Sequence, residues 1–239
     1  MLLLEVDEFT MTFRIEVPES MKLPEPQKAA VAVSGNAKSA VLASIFVAQG
    51  YDCTLVHCHI EGKIREIDFV IKLGENLNVP VEILELPPIP LDFDVILTNV
   101  KLFAMSNDFD VVTFGVCLPP NHQDILQQVR HVESYEDIAG KELEILMPYA
   151  YLTEGQVYTM ALNLGIDISF SVCERFLTKA CGECDSCVRQ QRSLRFAAHE
   201  LDLSPSDLPR ISYEIPMDEA VLDGWLEQEL QRVITIRTS

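Results

Sequence analysis

Ala29-Ala30-Val31-Ala32-Val33 is an uninterrupted apolar run with no polar position to turn toward water. A strand with one wet face alternates apolar and polar residues, whereas a strand without alternation must be covered on both faces, as at the centre of a parallel sheet. Parallel neighbours need long crossovers, and those crossovers are usually helices that cover the sheet. The sequence supplies them. Ser34-Gly35-Asn36 breaks the run, and Ser39 to Gln49 carries helical periodicity that stops at Gly50. Strand-like Cys53–His59 and Val81–Leu84 follow, with a helical pattern over Arg65–Asn76 between them. Ile96–Ser106 reads as a helix, Val111–Val116 as a strand, His122–Arg130 as a helix and Leu143–Met147 as a late strand. Thr153–Gly165 is again helical, with Gly165 as its stop. The alternation predicts an α/β fold built on a doubly wound, mostly parallel sheet, whose ligands sit at the C-terminal strand ends near the switch in strand order.

Outside that alternation, residues 2–6 and 10–17 alternate around Asp7-Glu8-Phe9 as two strands or a hairpin, and Pro18, Pro24 and Pro26 mark a linker. The expected organisation is an N-terminal β extension and linker over 1–26, an α/β domain over 27–198 and a C-terminal appendage over 199–239. The appendage holds Pro205, Pro209 and Pro216 before a helical pattern over Asp218–Arg232. With 18 Lys plus Arg against 37 Asp plus Glu, the net charge is −19, which argues against general nucleic-acid binding because a phosphate backbone needs a basic track. No apolar stretch approaches the ~18 residues of a membrane span, and the start of the chain lacks a secretory pattern. The expected setting is cytoplasmic.

Seven cysteines are unevenly spread. Cys53, Cys58 and Cys117 lie in apolar surroundings and read as buried small hydrophobes. The other four form Cys173-x7-Cys181-x2-Cys184-x2-Cys187. Short Cys-x-x-Cys spacing turns two thiolates toward one ion, and four thiolates close a tetrahedral zinc site with no open position, which makes one structural Zn²⁺ per chain the expectation. Redox chemistry at Cys181/Cys184 or Cys184/Cys187 is the competing reading. In the turn after the first strand, Ser34, Gly35 and Ser39 offer hydroxyl and backbone donors, Lys38 a positive charge, and the following helix its positive end. The spacing is not that of the Gly-x4-Gly-Lys-Ser nucleotide loop.

Together, the strand-Ser34-Gly35 turn and the segment Ala180-Cys181-Gly182-Glu183-Cys184-Asp185-Ser186-Cys187-Val188-Arg189 resemble the 7-cyano-7-deazaguanine synthase family of the PP-loop ATP pyrophosphatase superfamily, which acts in queuosine biosynthesis. Gly50-Tyr51-Asp52, Leu152-Thr153-Glu154 and Leu164-Gly165-Ile166-Asp167 also fit, so the resemblance spans roughly residues 28–195. It implies a zinc site at Cys173, Cys181, Cys184 and Cys187. It implies an ATP site at Ser34, Gly35, Asn36, Lys38 and Ser39, with Mg²⁺, and an ATP-dependent conversion of 7-carboxy-7-deazaguanine to the nitrile. The expected ligands are a 7-deazaguanine or a nucleotide, with a protein partner or a second copy of the chain as further candidates.

The loop is nonetheless degenerate. Against the superfamily's Ser-Gly-Gly-x-Asp-Ser, Asn36 replaces the second glycine and Lys38 the Asp that helps hold magnesium. Glu154 follows Thr153 where the family has Thr-Lys, and Gly115-Val116-Cys117 begins like its Gly-Val-Asn loop before diverging. The alternative is therefore a catalytically inactive, zinc-stabilised homologue that binds a ligand or a protein. His57 and His59 share one face of a strand near the expected crevice, and His122 lies in a loop by the same edge; surface or hydrogen-bonded histidines are the plainer reading of all three. Arg189, Arg192 and Arg195 form a basic stripe on a helix, read as a solvated face.

Overall fold

Ala29, Ala30 and Val31 are each fully buried in β1 (Lys28–Ala32), at the middle of a five-stranded sheet, as an apolar run without alternation requires. The computed structural model describes residues 25–60, 64–87, 93–117, 143–149, 152–166 and 184–203. Its other strands are β2 (Asp52–Ile60), β3 (Val81–Leu86), β4 (Val111–Thr113) and β5 (Glu144–Leu146). They stand in the order β3-β2-β1-β4-β5, and every pairing is parallel. The helices are α1 (Ala37–Ala48), α2 (Ile64–Leu77), α3 (Phe93–Ser106), α4 (Glu154–Asn163) and α5 (Asp185–Glu200).

Alternate β1 residues feed two cores. Val31 joins Leu55 and Val111 beneath Val41 and Phe46 of α1, Val70 of α2, Val157 of α4 and Leu194 of α5. Ala30 joins Val56 and Val112 on the other face, covered by Leu97, Val100 and Ala104 of α3. The chain thus winds outward through β2 and β3, and α3 then carries it back across to β4 on the far side of β1. The strand order reverses between β1 and β4, which opens a crevice at their C-terminal ends.

Element ends shift for local reasons. Helix α1 starts at Ala37, two residues before the periodicity suggests, because Asn36 in extended backbone caps it with its side chain. At α4, Thr153 is the cap: its hydroxyl accepts from the Gln156 N–H at 3.3 Å, and Gln156 Oε1 accepts from the Thr153 N–H at 2.9 Å. The α4 turns end at Gly165, whose φ of +63° suits a residue without Cβ. β4 stops at Thr113, three residues short of the expected end, and Gly115 and Val116 beyond it line the cavity. Among the described residues no helix is long and apolar enough to cross a membrane. The expected N-terminal strands, the helix over 122–130 with His122, the tail beyond 203, and Cys173 and Cys181 lie outside the described residues.

Candidate functional site

The crevice beside β1 holds a cavity of about 330 Å³. One wall is the turn after β1, with Ser34, Asn36, Lys38 and Ser39 on it. The turn is closed by its own side chains. Ser39 Oγ donates to the Ser34 carbonyl at 2.7 Å and accepts from the Ser34 N–H at 3.0 Å. The Ser39 N–H in turn donates to Asn36 Oδ1 at 3.1 Å. The Ser34 and Ser39 backbone donors expected to meet an anion are therefore engaged within the turn, and the Ser39 hydroxyl holds the turn's shape. Gly35 sits at the bend itself.

Lys38 lies in the first turn of α1, which carries no acidic residue there. A cation at a helix N-terminus faces the positive end of the dipole, a cost of roughly 0.3–1 kcal/mol. That cost is offset across the cavity: Lys38 Nζ sits 3.4 Å from Glu154 Oε1, with both side chains about a quarter exposed (22% and 26%). Glu154 opens α4, where the same dipole favours a carboxylate. Neither residue points at the other in sequence terms; the packing of α1 on α4 brings them together.

The opposite wall is aromatic and apolar, formed by Phe93 and Ile96 of α3 with Phe114 and Val116 after β4. The rings of Phe93 and Phe114 meet edge to face, 5.6 Å between centroids. Behind them, Cys58 lines the cavity as a neutral thiol, since burial pushes it up to about 11. His57, on the opposite face of β2 from Cys58, and Glu66 of α2 also line the cavity. His57 is 1% exposed, and its Nδ1 lies 2.9 Å from the Val33 carbonyl. A carbonyl only accepts, so Nδ1 carries the proton and Nε2 faces the other way. Glu66, buried in the first turn of α2, places Oε2 3.8 Å from that Nε2. His59, on the same strand face, is buried but is not among the cavity-lining residues.

The mouth is set by α5, which contributes Ser186, Arg189 and Gln190. Their i, i+3, i+4 spacing puts them on one helix face. Arg189 is exposed and borders the cavity, while Arg192 and Arg195 are half-buried, so the stripe is only in part a solvated face. Cys184 is the N-cap of the same helix, with no side-chain capping hydrogen bond, and Cys187 one turn on is fully buried. Two buried thiols at this spacing, one unused by the cap, fit the donor set of a zinc knuckle. Among the described residues no group of three or more His, Cys, Asp and Glu stands ready to hold a metal.

A family model described as "Queuosine biosynthesis protein QueC" matches residues 89–198. The chain is 23% identical to the 7-cyano-7-deazaguanine synthase 2 of Sulfurisphaera tokodaii, over 76% of this chain and 50% of that protein. It is 25% identical to the 7-cyano-7-deazaguanine synthase of Cellvibrio japonicus, over 67% of this chain and 90% of that protein. Over these spans the chain is similar to the 7-cyano-7-deazaguanine synthases. It spans about half the length of the Sulfurisphaera relative and nearly the whole of the Cellvibrio one. A solved NMN synthetase from Francisella tularensis aligns over 87% of both chains at 13% identity, with a TM-score of 0.46.

Set against the 7-cyano-7-deazaguanine synthase pattern, the two charge departures at Lys38 and Glu154 are one event in space: each is the other's partner. An ammonium tied to a carboxylate does not supply the oxygen ligands that Mg²⁺ requires at that position. Glu66, Phe93, Phe114 and Gln190 were not singled out in the sequence, and Arg189 was read there only as part of a basic stripe. The one signal for Glu66 was a carboxylate in the first turn of the helix that follows the His57 strand.

Proposed function

We propose that this chain is a 7-cyano-7-deazaguanine synthase-like protein that binds a 7-deazaguanine or nucleotide ligand in the switch-point cavity without the magnesium-assisted ATP chemistry its family resemblance implies. The observation that carries this reading is the Lys38–Glu154 ion pair at 3.4 Å. Acyl activation by ATP needs a divalent ion, or an equivalent, against charge developing on the phosphates. Here the cation in the turn is already matched by a carboxylate of the same chain, and Asn36 and Ser39 occupy the turn's donors. What the cavity retains is a binding surface: an aromatic wall, a buried carboxylate and imidazole, and Arg189 at the mouth.

The same proposal includes one structural Zn²⁺ held by Cys173, Cys181, Cys184 and Cys187. Such an ion anchors the first turn of α5 and, with it, Ser186, Arg189 and Gln190 in the cavity wall. Elemental analysis of the purified chain should give about one zinc per chain, lost on Cys184→Ser.

A second reading, the family's ATP-dependent C–N ligase activity, is favoured by the match over 89–198 and the kept Ser34-Gly35 turn. One experiment separates the two. Zinc-loaded protein is incubated with ATP, Mg²⁺, ammonia and 7-carboxy-7-deazaguanine, and both nucleotide cleavage and nitrile are measured. The expected result is saturable ligand binding with no turnover above background; nitrile formation would establish the second reading instead.

A further inference from the structure

We infer that the outer edge of β3 is the docking site of the chain's own residues 232–237, added there as a further strand. The described sheet ends on β3 and β5. β5 spans three residues, whereas β3 runs for six. The Leu55 N–H donates to the Pro80 carbonyl at 2.9 Å, with Leu55 opposite Val81 in a parallel register. That pattern turns the backbone N–H groups of Glu82, Leu84 and Leu86 toward β2. The N–H and C=O groups of Val81, Ile83 and Glu85 therefore face outward, and among the described residues no strand pairs with them. Val81, Ile83, Leu84 and Leu86 are only half-buried, so apolar surface stays open beside those groups on both faces of the strand.

Charge selects the occupant. Glu82 and Glu85 are both exposed on this edge, three residues apart and so on opposite faces of the sheet. A second copy paired edge to edge would crowd both carboxylates of each chain into one short seam, between chains of net charge −19. A basic strand meets the opposite situation. Residues 233–236 are Val-Ile-Thr-Ile, β-branched throughout, which is the composition a strand favours. Arg232 and Arg237 flank them, and residues 230–239 contain no Asp or Glu. Five residues apart, the two arginines fall on opposite faces of a strand, as the two glutamates do on β3. The N-terminal alternation over 10–17 lacks this match, because it carries Glu16 as well as Arg14. Reach is no obstacle: at ~3.3 Å per extended residue, 204–217 alone exceed the ~20 Å width of a five-stranded sheet. Docked there, the segment covers an edge that would otherwise be a template for pairing with other chains.

The test is amide hydrogen exchange of the full chain, read residue by residue by NMR. In the wild type the Ile83 and Glu85 amides should exchange at least ~10-fold more slowly than the unprotected rate. Charge reversal of the segment, Arg232→Glu with Arg237→Glu, should return those two amides to the unprotected rate and leave the inward Leu84 amide slow. Adding Glu82→Lys and Glu85→Lys to that variant should restore the protection. Unprotected Ile83 and Glu85 amides in the wild type overturn the inference, and that measurement needs no variant. Protection that survives the charge reversal also overturns it, by assigning the edge to another segment. Protection that grows with protein concentration overturns it in favour of a second copy.

Discussion

At the scale of single residues, the altered loop makes sense only as a pair. Lys38 in a helix N-terminus is unfavourable alone, and Glu154 opposite an unpaired ammonium's absence would be a carboxylate facing a cavity. The partial exposure of both side chains limits what the contact contributes, and exposed pairs give about 0.2–1 kcal/mol in double-mutant cycles. We expect Lys38→Ala and Glu154→Ala each to destabilise modestly, with a coupling of about 0.5 kcal/mol that falls as salt rises. The charge-exchanged double variant, Lys38→Glu with Glu154→Lys, should recover most of that coupling. Urea midpoints of the wild type, the two singles and the Lys38→Ala/Glu154→Ala double measure it, and strictly additive singles would show the two groups do not interact.

Packing decides more at the scale of elements. Gly155, in the first turn of α4, lies against Phe196 of α5, and a Cβ there would sit 2.6 Å from the ring. Phe196 is fully buried and has nowhere to go. In an exposed helix Gly→Ala would stabilise by about 1 kcal/mol. Here overpacking costs about 1–3 kcal/mol, so Gly155→Ala should destabilise by roughly 1–2 kcal/mol net. Because α4 carries Glu154 and α5 carries Arg189, the same variant should also weaken ligand binding in the cavity. A thermal melt checks the first effect, and a raised midpoint would mean the two helices are not in this register.

For the whole molecule, titration links burial to stability. Burial, with a smaller push from Asp52, raises the Cys53 thiol from 9.0 to about 12. Burial, then Glu144, raises the Tyr51 hydroxyl from 10.0 to about 12. Both groups are neutral when protonated, so the folded chain holds protons that the unfolded chain releases first. Their stabilising effect is full below about pH 9 and is lost progressively as pH rises toward 12. The urea midpoint should therefore fall steadily between pH 8.5 and about 11, and Cys53→Ala should flatten part of that slope. A midpoint independent of pH across this range would contradict the burial of Cys53 and Tyr51 on the sheet.

What the sequence determined by itself was whatever short-range physics encodes. An apolar run without alternation must be a central parallel strand, periodicity marks the helices, and a polar break after the first strand marks the ligand crevice. The four-cysteine spacing and the family motifs belong to the same class, because each is written within a few residues. Tertiary structure alone decided which charges meet and which walls close. Lys38 and Glu154 were legible as two separate departures, and only the packing of α1 on α4 made them one ion pair. Glu66 was one first-turn carboxylate among several until α2 folded back beside β2 and set it against His57. The physical reason is range: periodicity and capping act over one or two turns, whereas a cavity is assembled from strand ends and helix starts that only a folded sheet brings together.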